Sequence, residues 1–223
     1  VTVYDLIGAR LSAADEVLPV EQVFPPEASQ KQVEEEGAAE MAGSQSVATA
    51  TALRALGREV DETVVIGSVL EDGPSQGVFE PGDVLVTVDG DAATSADAVR
   101  AAVRRHAPGD TFPVVVVRDG AERTVTARTA ESDGATVIGV GLRMDYDLPV
   151  DVTLNTGRVG GPSAGLMFSL AIYDVLTPGE LTGGKNIAGT GTMEDDGTVG
   201  PIGGIRQKLV GAQRAGADYF LAP

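Results

Sequence analysis

Between Thr63 and Thr129 the chain abandons helical spacing and reads in the two-residue period of a sheet. TVVIGSVL, DVLVTV, TFPVVVV and ERTVTART are strand-like runs, and DGPSQG, EPGD, VDGD and RDG between them are turn chemistry. One short helix interrupts them. Thr94 or Ser95 can cap it, Val99 and Val103 lie i and i+4 on its inner face, and APGD ends it. His106, beside that turn, reads as a solvated C-cap residue. Such a module, roughly 70 residues long, can fold as its own body. A polar linker, ESDGA over Glu131–Ala135, is expected to close it. What flanks it differs in kind. Upstream come a strand (Val1 to Ile7), an irregular stretch through Pro25 and Pro26, and a helical pattern from Glu27 to Leu56 that should stop at Gly57. Downstream lie the glycine-rich loops RVGGPSAG, LTGGKN, AGTGT and VGPIGGIRQK, a helix over Ser163–Leu176 and an amphipathic helix from Ile205. The chain therefore reads as α+β in three stretches, 1–60, 61–131 and 132–223.

Charge and rare residues remove most function classes. Sixteen basic side chains face 33 acidic ones for a formal net charge of −17, without a local basic patch. Such a surface repels phosphate backbones and anionic headgroups, so no nucleic-acid partner is expected. There is no cysteine and one histidine, His106, which leaves no thiol nucleophile and no Cys/His zinc site. EDDG at Glu194–Gly197 is a poor calcium loop and reads as a solvated turn, so neither metal nor other cofactor is expected. GxxxxGK[ST] has no match, since Lys185 is followed by Asn186, and ATP is not an expected partner. No apolar run reaches the roughly 18 residues of a membrane span. The chain opens at Val1 within strand-like sequence, so an anchor ahead of it is an expectation.

Lysines are scarce, Lys31, Lys185 and Lys208 against thirteen arginines, so each placement carries information. In GIRQKLVGAQRAGA the apolar stripe is Ile205, Leu209 and Ala212, and Lys208 falls on the same face. An inward amine loses solvation and with it part of its basicity, which makes a general base near neutral pH. The alternative is a lysine whose stem packs inward and whose head reaches a carboxylate or carbonyl. Ser163 follows Pro162 at the start of an apolar helix, where backbone N–H groups are unsatisfied and can receive an oxyanion. The competing reading is a serine that merely caps its helix.

Two resemblances cover most of the chain. The order of strand, GVFEPGDVL, strand, helix and two strands resembles a PDZ domain of the bacterial, circularly permuted kind. It implies peptide binding by strand addition along Thr63, Val64, Val65 and Ile66, facing Val99 and Val103. GPSAG with Ser163, TGT with Thr190, and GPIGGIRQK with Lys208 resemble the Lon protease family in order and spacing, most strongly over 151–223. That resemblance implies a Ser-Lys dyad with Ser163 as nucleophile and Lys208 as base. By motif position Thr190 would hold the lysine, and backbone N–H groups of Gly161 and Ser163 would hold the oxyanion. Together the motifs look most like bacterial PDZ-Lon proteases: a Lon-type protease domain with an inserted PDZ-like β-sandwich or partial barrel and no ATPase module. The implied activity is ATP-independent endoproteolysis of flexible or unfolded polypeptides, selected or gated by the PDZ-like module. Homo-oligomers, hexameric rings among them, and an anchored position outside the cytoplasmic membrane face are also implied. The rival class is a non-catalytic peptide-binding adaptor with a vestigial protease domain. Gly160 stands where several Lon enzymes carry an acidic residue, and the chain ends at FLAP, short of a usual terminal strand and helix.

Overall fold

A computed structural model describes residues 30–154 and 161–223. The expected strand at Val1 to Ile7, the stretch through Pro25 and Pro26, and Gly160 lie outside the described residues. Two compact units emerge: Val60–Asp147 forms one, and the described residues up to Glu59 together with those from Leu148 onward form the other. The second is thus discontinuous in sequence. It opens with α1, Gln30–Ala55. Gly57 ends α1 as expected: at φ 73° it takes the left-handed region, while its N–H and that of Arg58 return to the carbonyls of Arg54 and Leu53.

The Val60–Asp147 unit is built on β1 (Asp61–Val69), β2 (Val84–Val88), β3 (Asp91–Ala92), β4 (Thr111–Arg118) and β5 (Ala121–Arg128). Two short strands, β6 (Ala130–Ser132) and β7 (Ala135–Val137), pair with each other, and β8 (Val140–Asp147) closes the unit. The six-stranded antiparallel sheet runs β5-β4-β2-β1-β8, with β3 on β2. Three Asp-Gly pairs, at 89–90, 119–120 and 133–134, have positive φ at both residues and make the tight hairpins of β2–β3, β4–β5 and β6–β7. The last of these corrects an expectation. ESDGA is not a linker but a hairpin, and the expected boundary at 131 falls inside β6, because β8 still has to pair with β1 along Asp61–Val69.

α2 (Ala96–Val103) lies over this sheet. Ser95 is its N-cap, accepting from the Ala98 N–H at 3.0 Å, and Val99 and Val103 are buried with Ile66, Leu85, Phe112 and Val114. Arg104, not His106, is the C-cap. The His106 ring instead stacks on Phe112 with centroids 4.2 Å apart, its Nε2 3.3 Å from Asp89 Oδ2 but outside hydrogen-bond alignment. Asp83 of the PGD turn is fully buried. It accepts from the Glu80 N–H and from Arg118 through Nε and Nη2, both at 2.7 Å. Burial alone would raise its carboxyl, but the Arg118 guanidinium and the Glu80 N–H outweigh it and hold the group below the ordinary carboxylate range.

From Leu148 onward come α3 (Gly165–Leu176), β9 (Ile187–Gly189), β10 (Thr192–Met193), β11 (Val199–Gly200), α4 (Ile205–Arg214) and β12 (Tyr219–Leu221). β9 pairs parallel with β12, and β10 antiparallel with β11. α1 packs on α3 through small residues: Ala48 and Ala52 are buried against Ile172. Gly165 makes the close approach possible, since a Cβ there would stand 2.9 Å from the Met193 backbone nitrogen and 3.0 Å from Ser44 Oγ.

Candidate active site

The serine loop enters the described residues at Gly161 and turns through Pro162, Ser163 and Ala164 before α3 begins. Ala164 is the N-cap and makes no side-chain capping bond, so Ser163 does not cap the helix. Its hydroxyl instead receives the Lys208 ammonium, Nζ to Oγ 2.7 Å. Lys208 reaches it from the first turn of α4, whose start is set by Gly204 at φ 69°. Thr190, buried where β9 ends, completes the cluster. Its Oγ1 accepts from Lys208 Nζ at 2.9 Å and donates to the Ser163 carbonyl at 2.9 Å, and that carbonyl also accepts the Gly191 N–H. Lys208 therefore touches both of the other side chains singled out in the sequence.

Among the described residues no carboxylate lies within ion-pair distance of Lys208. Desolvation by burial is what pushes its ammonium below the ordinary lysine range. The helix is oriented differently from the expected stripe. Ile205 and Leu209 stand 38% and 46% exposed, while Lys208 and Ala212, four apart, are half-buried. The lysine points inward because its polar head is satisfied there by two hydroxyls, not because an apolar stripe carries it in.

The expected oxyanion donors separate. The Gly161 N–H donates to the Gly37 carbonyl of α1 at 3.1 Å and is already used. The Ser163 and Ala164 N–H groups have no partner among the described residues. A groove of about 740 Å³ runs along α3 from Met167 to Asp174 and is bordered by β9 and β12, and it includes neither Ser163 nor Lys208.

In the other unit the peptide-binding expectation needs correction. Thr63, Val64, Val65 and Ile66 belong to an interior strand, paired on one side with β2 and on the other with Arg143, Met144, Asp145 and Leu142 of β8. No edge remains there for an added strand. The sheet ends at β5 and at β8, and the edge next to β1 is that of β8, which among the described residues pairs only with β1. Between it and α2 lies a groove of about 610 Å³ whose walls include Val99, Val103, Arg104 and the run Ile138–Leu142. Val99 and Val103 thus keep their expected place, opposite a different strand. The signal was present in the sequence as IGVG at Ile138–Gly141, but it sits beyond the hairpin taken for a linker.

With this geometry in view, two family models match: the PDZ domain over residues 6–129, and the Lon protease (S16) C-terminal proteolytic domain over residues 142–223. The first span starts upstream of the compact sheet unit and stops short of β8. Lon protease 1 of Herpetosiphon aurantiacus is 33% identical over 108 residues, 48% of this chain and 13% of that protein. Lon protease 1 of Thermus thermophilus is 36% identical over 83 residues, 37% of this chain and 10% of that protein. The chain therefore spans only about an eighth to a tenth of the length of these relatives. Among solved structures, the PDZ domain of the SdrC-like protein Lmo2051 from Listeria monocytogenes is similar at 23% identity and a TM-score of 0.34, over 35% of this chain and 85% of that one. The two matches define a PDZ domain and a proteolytic domain in one chain. The chain belongs to the PDZ domain family and carries a Lon protease C-terminal proteolytic domain; no ATPase domain is evident in its 223 residues.

Proposed function

We propose that this chain is a serine endopeptidase that works without ATP, with Ser163 as nucleophile and Lys208 as general base. The observation that carries the reading is the 2.7 Å contact between a desolvated amine, which has no counter-ion among the described residues, and a hydroxyl at the mouth of an apolar helix. Neutral Lys208 offers its lone pair to the Ser163 O–H and an N–H to Thr190. As Oγ bonds to the peptide carbonyl carbon, the hydroxyl proton moves to Nζ and the carbonyl electrons move to oxygen. The Ser163 and Ala164 N–H groups, which have no partner among the described residues, receive that oxyanion. Collapse of the intermediate breaks the C–N bond, and the Lys208 ammonium gives its proton to the leaving nitrogen. A water deprotonated by the same amine then hydrolyses the acyl ester.

Substrates on this reading are flexible or unfolded polypeptides. The PDZ unit selects or gates them by adding an extended segment to the open edge of β8, beside Val99 and Val103, with Arg104 available to a terminal carboxylate. The family resemblance supports homo-oligomers, hexameric rings among them, and an anchored position on the outer side of a bacterial membrane. Among the described residues no helix is long and apolar enough to cross a membrane. The deciding experiment is digestion of unfolded casein without nucleotide, alongside labelling by a serine-directed covalent inhibitor. Cleavage lost in Ser163→Ala and labelling lost in Lys208→Ala are expected. A Ser163→Ala variant as fast as its parent removes the dyad. Failure of both to cleave, with peptide still bound at β8, favours the adaptor.

A further inference from the structure

Ser44 is a polar residue on the small, apolar face of α1, 6% exposed between Met41 and Ala48, which are 4% and 0% exposed. Packing does not call for a hydroxyl there, yet its Oγ donates to the Pro162 carbonyl at 3.1 Å, across 118 residues of sequence. One face of α1 holds the serine loop twice. The Gly37 carbonyl takes the Gly161 N–H, and two turns later the Ser44 hydroxyl takes the Pro162 oxygen.

The second contact bears on chemistry because of peptide geometry. The Pro162–Ser163 bond is trans, so its C=O and N–H point in opposite directions. Fastening the oxygen against α1 turns the Ser163 N–H away from α1. Around the loop, the N–H groups of Gly161, Gly165 and Leu166 are taken up by Gly37, Pro162 and Gly191, while that of Ser163 has no partner among the described residues. A carbonyl that accepts a hydrogen bond also polarises its own amide and strengthens the N–H as a donor.

We propose that Ser44 is a positioning residue that aims and polarises the Ser163 N–H toward the oxyanion. The proposal rests on the peptidase reading of Ser163 and Lys208. Since the charge on the substrate oxygen develops only as Oγ attacks, the contribution of Ser44 falls on the transition state and not on substrate affinity.

The test uses the full chain with a flexible fluorogenic peptide and the corresponding peptide aldehyde, which forms a reversible tetrahedral adduct with a serine hydroxyl. For Ser44→Ala, kcat falls about tenfold while KM stays within about twofold. Aldehyde affinity falls in parallel, and the pH limb set by Lys208 does not move. Ser44→Cys, close in volume and a weaker donor, falls between parent and Ala, and it serves alone if the alanine variant does not fold. A kcat unchanged in these variants, or a loss shared equally by KM or accompanied by a shifted pH limb, overturns the proposal while leaving the dyad intact. A parent chain that neither cleaves the peptide nor binds the aldehyde overturns the peptidase reading itself, and this proposal with it.

Discussion

The Lys208 amine is held by two hydroxyls and, among the described residues, by no opposite charge, so its protonation is governed by burial. Its pKa is lowered from the ordinary value of 10.5. Below the lowered value the folded and unfolded chains both carry the proton, and the cost of burying the ammonium is felt in full. Between the two values the unfolded chain binds more protons, so stability rises with pH, and above 10.5 the dependence ends. Lys208→Met should therefore leave the melting temperature unchanged or raise it by up to about 4 °C near neutral pH, while abolishing turnover. The advantage of Met should shrink as pH climbs through that window. Calorimetry across pH checks it, and a large loss of melting temperature at neutral pH would count for a structural lysine. In the parent, kcat/KM should rise with pH along a limb below the ordinary lysine range. Thr190→Val removes one acceptor from Nζ and one donor to the Ser163 carbonyl, and kcat should fall about tenfold with little change in KM. Ser163 and Lys208 were singled out in the sequence by the joint order and spacing of GPSAG, TGT and GPIGGIRQK, since each residue alone left a structural reading open. Ser44 was not, since its partner is 118 residues away and only the tertiary contact of α1 with the serine loop gives its hydroxyl a purpose.

Elements show the same division between local and distant information. The turns at Asp89–Gly90 and Asp119–Gly120, the α2 cap at Thr94 or Ser95 and the stop of α1 at Gly57 could be read locally, because each is decided within a few residues, whereas the Asp133–Gly134 hairpin read as a linker because its strands are only three residues long. The strand with the open edge beside α2 could not be read locally. β1 and β8 both look like half-buried strands, and which of them keeps an open edge depends on a pairing between residues 61–69 and 140–147 that no local pattern encodes. The contact of α1 with α3 is likewise a property of two elements together, and at Gly165 it leaves no room for a side chain. A methyl group there meets the Met193 backbone, which cannot swing aside as a side chain can, and Ser44 Oγ, whose bond to Pro162 it would strain. Gly165→Ala should cost about 1–3 kcal/mol of stability. It should also lower kcat by more than its fraction unfolded explains, because the helix that follows Ser163 is pushed away from α1. Denaturant titration beside kinetics at a temperature where the variant remains folded separates the two effects. Equal activity per folded molecule would mean that α1 and the serine loop move as one body.

At the scale of the whole molecule the governing quantity is charge. A net charge of −17 spread over 223 residues makes a field that acts on a flexible substrate before any groove does, attracting basic segments and repelling acidic ones. Raising ionic strength from about 0.01 M to about 0.15 M shortens the screening length from roughly 30 Å to roughly 8 Å. Over that range kcat/KM for an unstructured basic polypeptide should fall, by about tenfold if encounter limits the reaction. An acidic polypeptide of equal length and the same residues at the scissile bond should improve. Single-turnover cleavage at saturating substrate should hardly change for either, because the contact of Lys208 with Ser163 is short and desolvated and lies beneath the screening atmosphere. If both substrates responded alike, the acidic surface would have no part in choosing them. Selection would then rest on the β8–α2 groove, where Arg104 gives the local sign opposite to that of the chain as a whole.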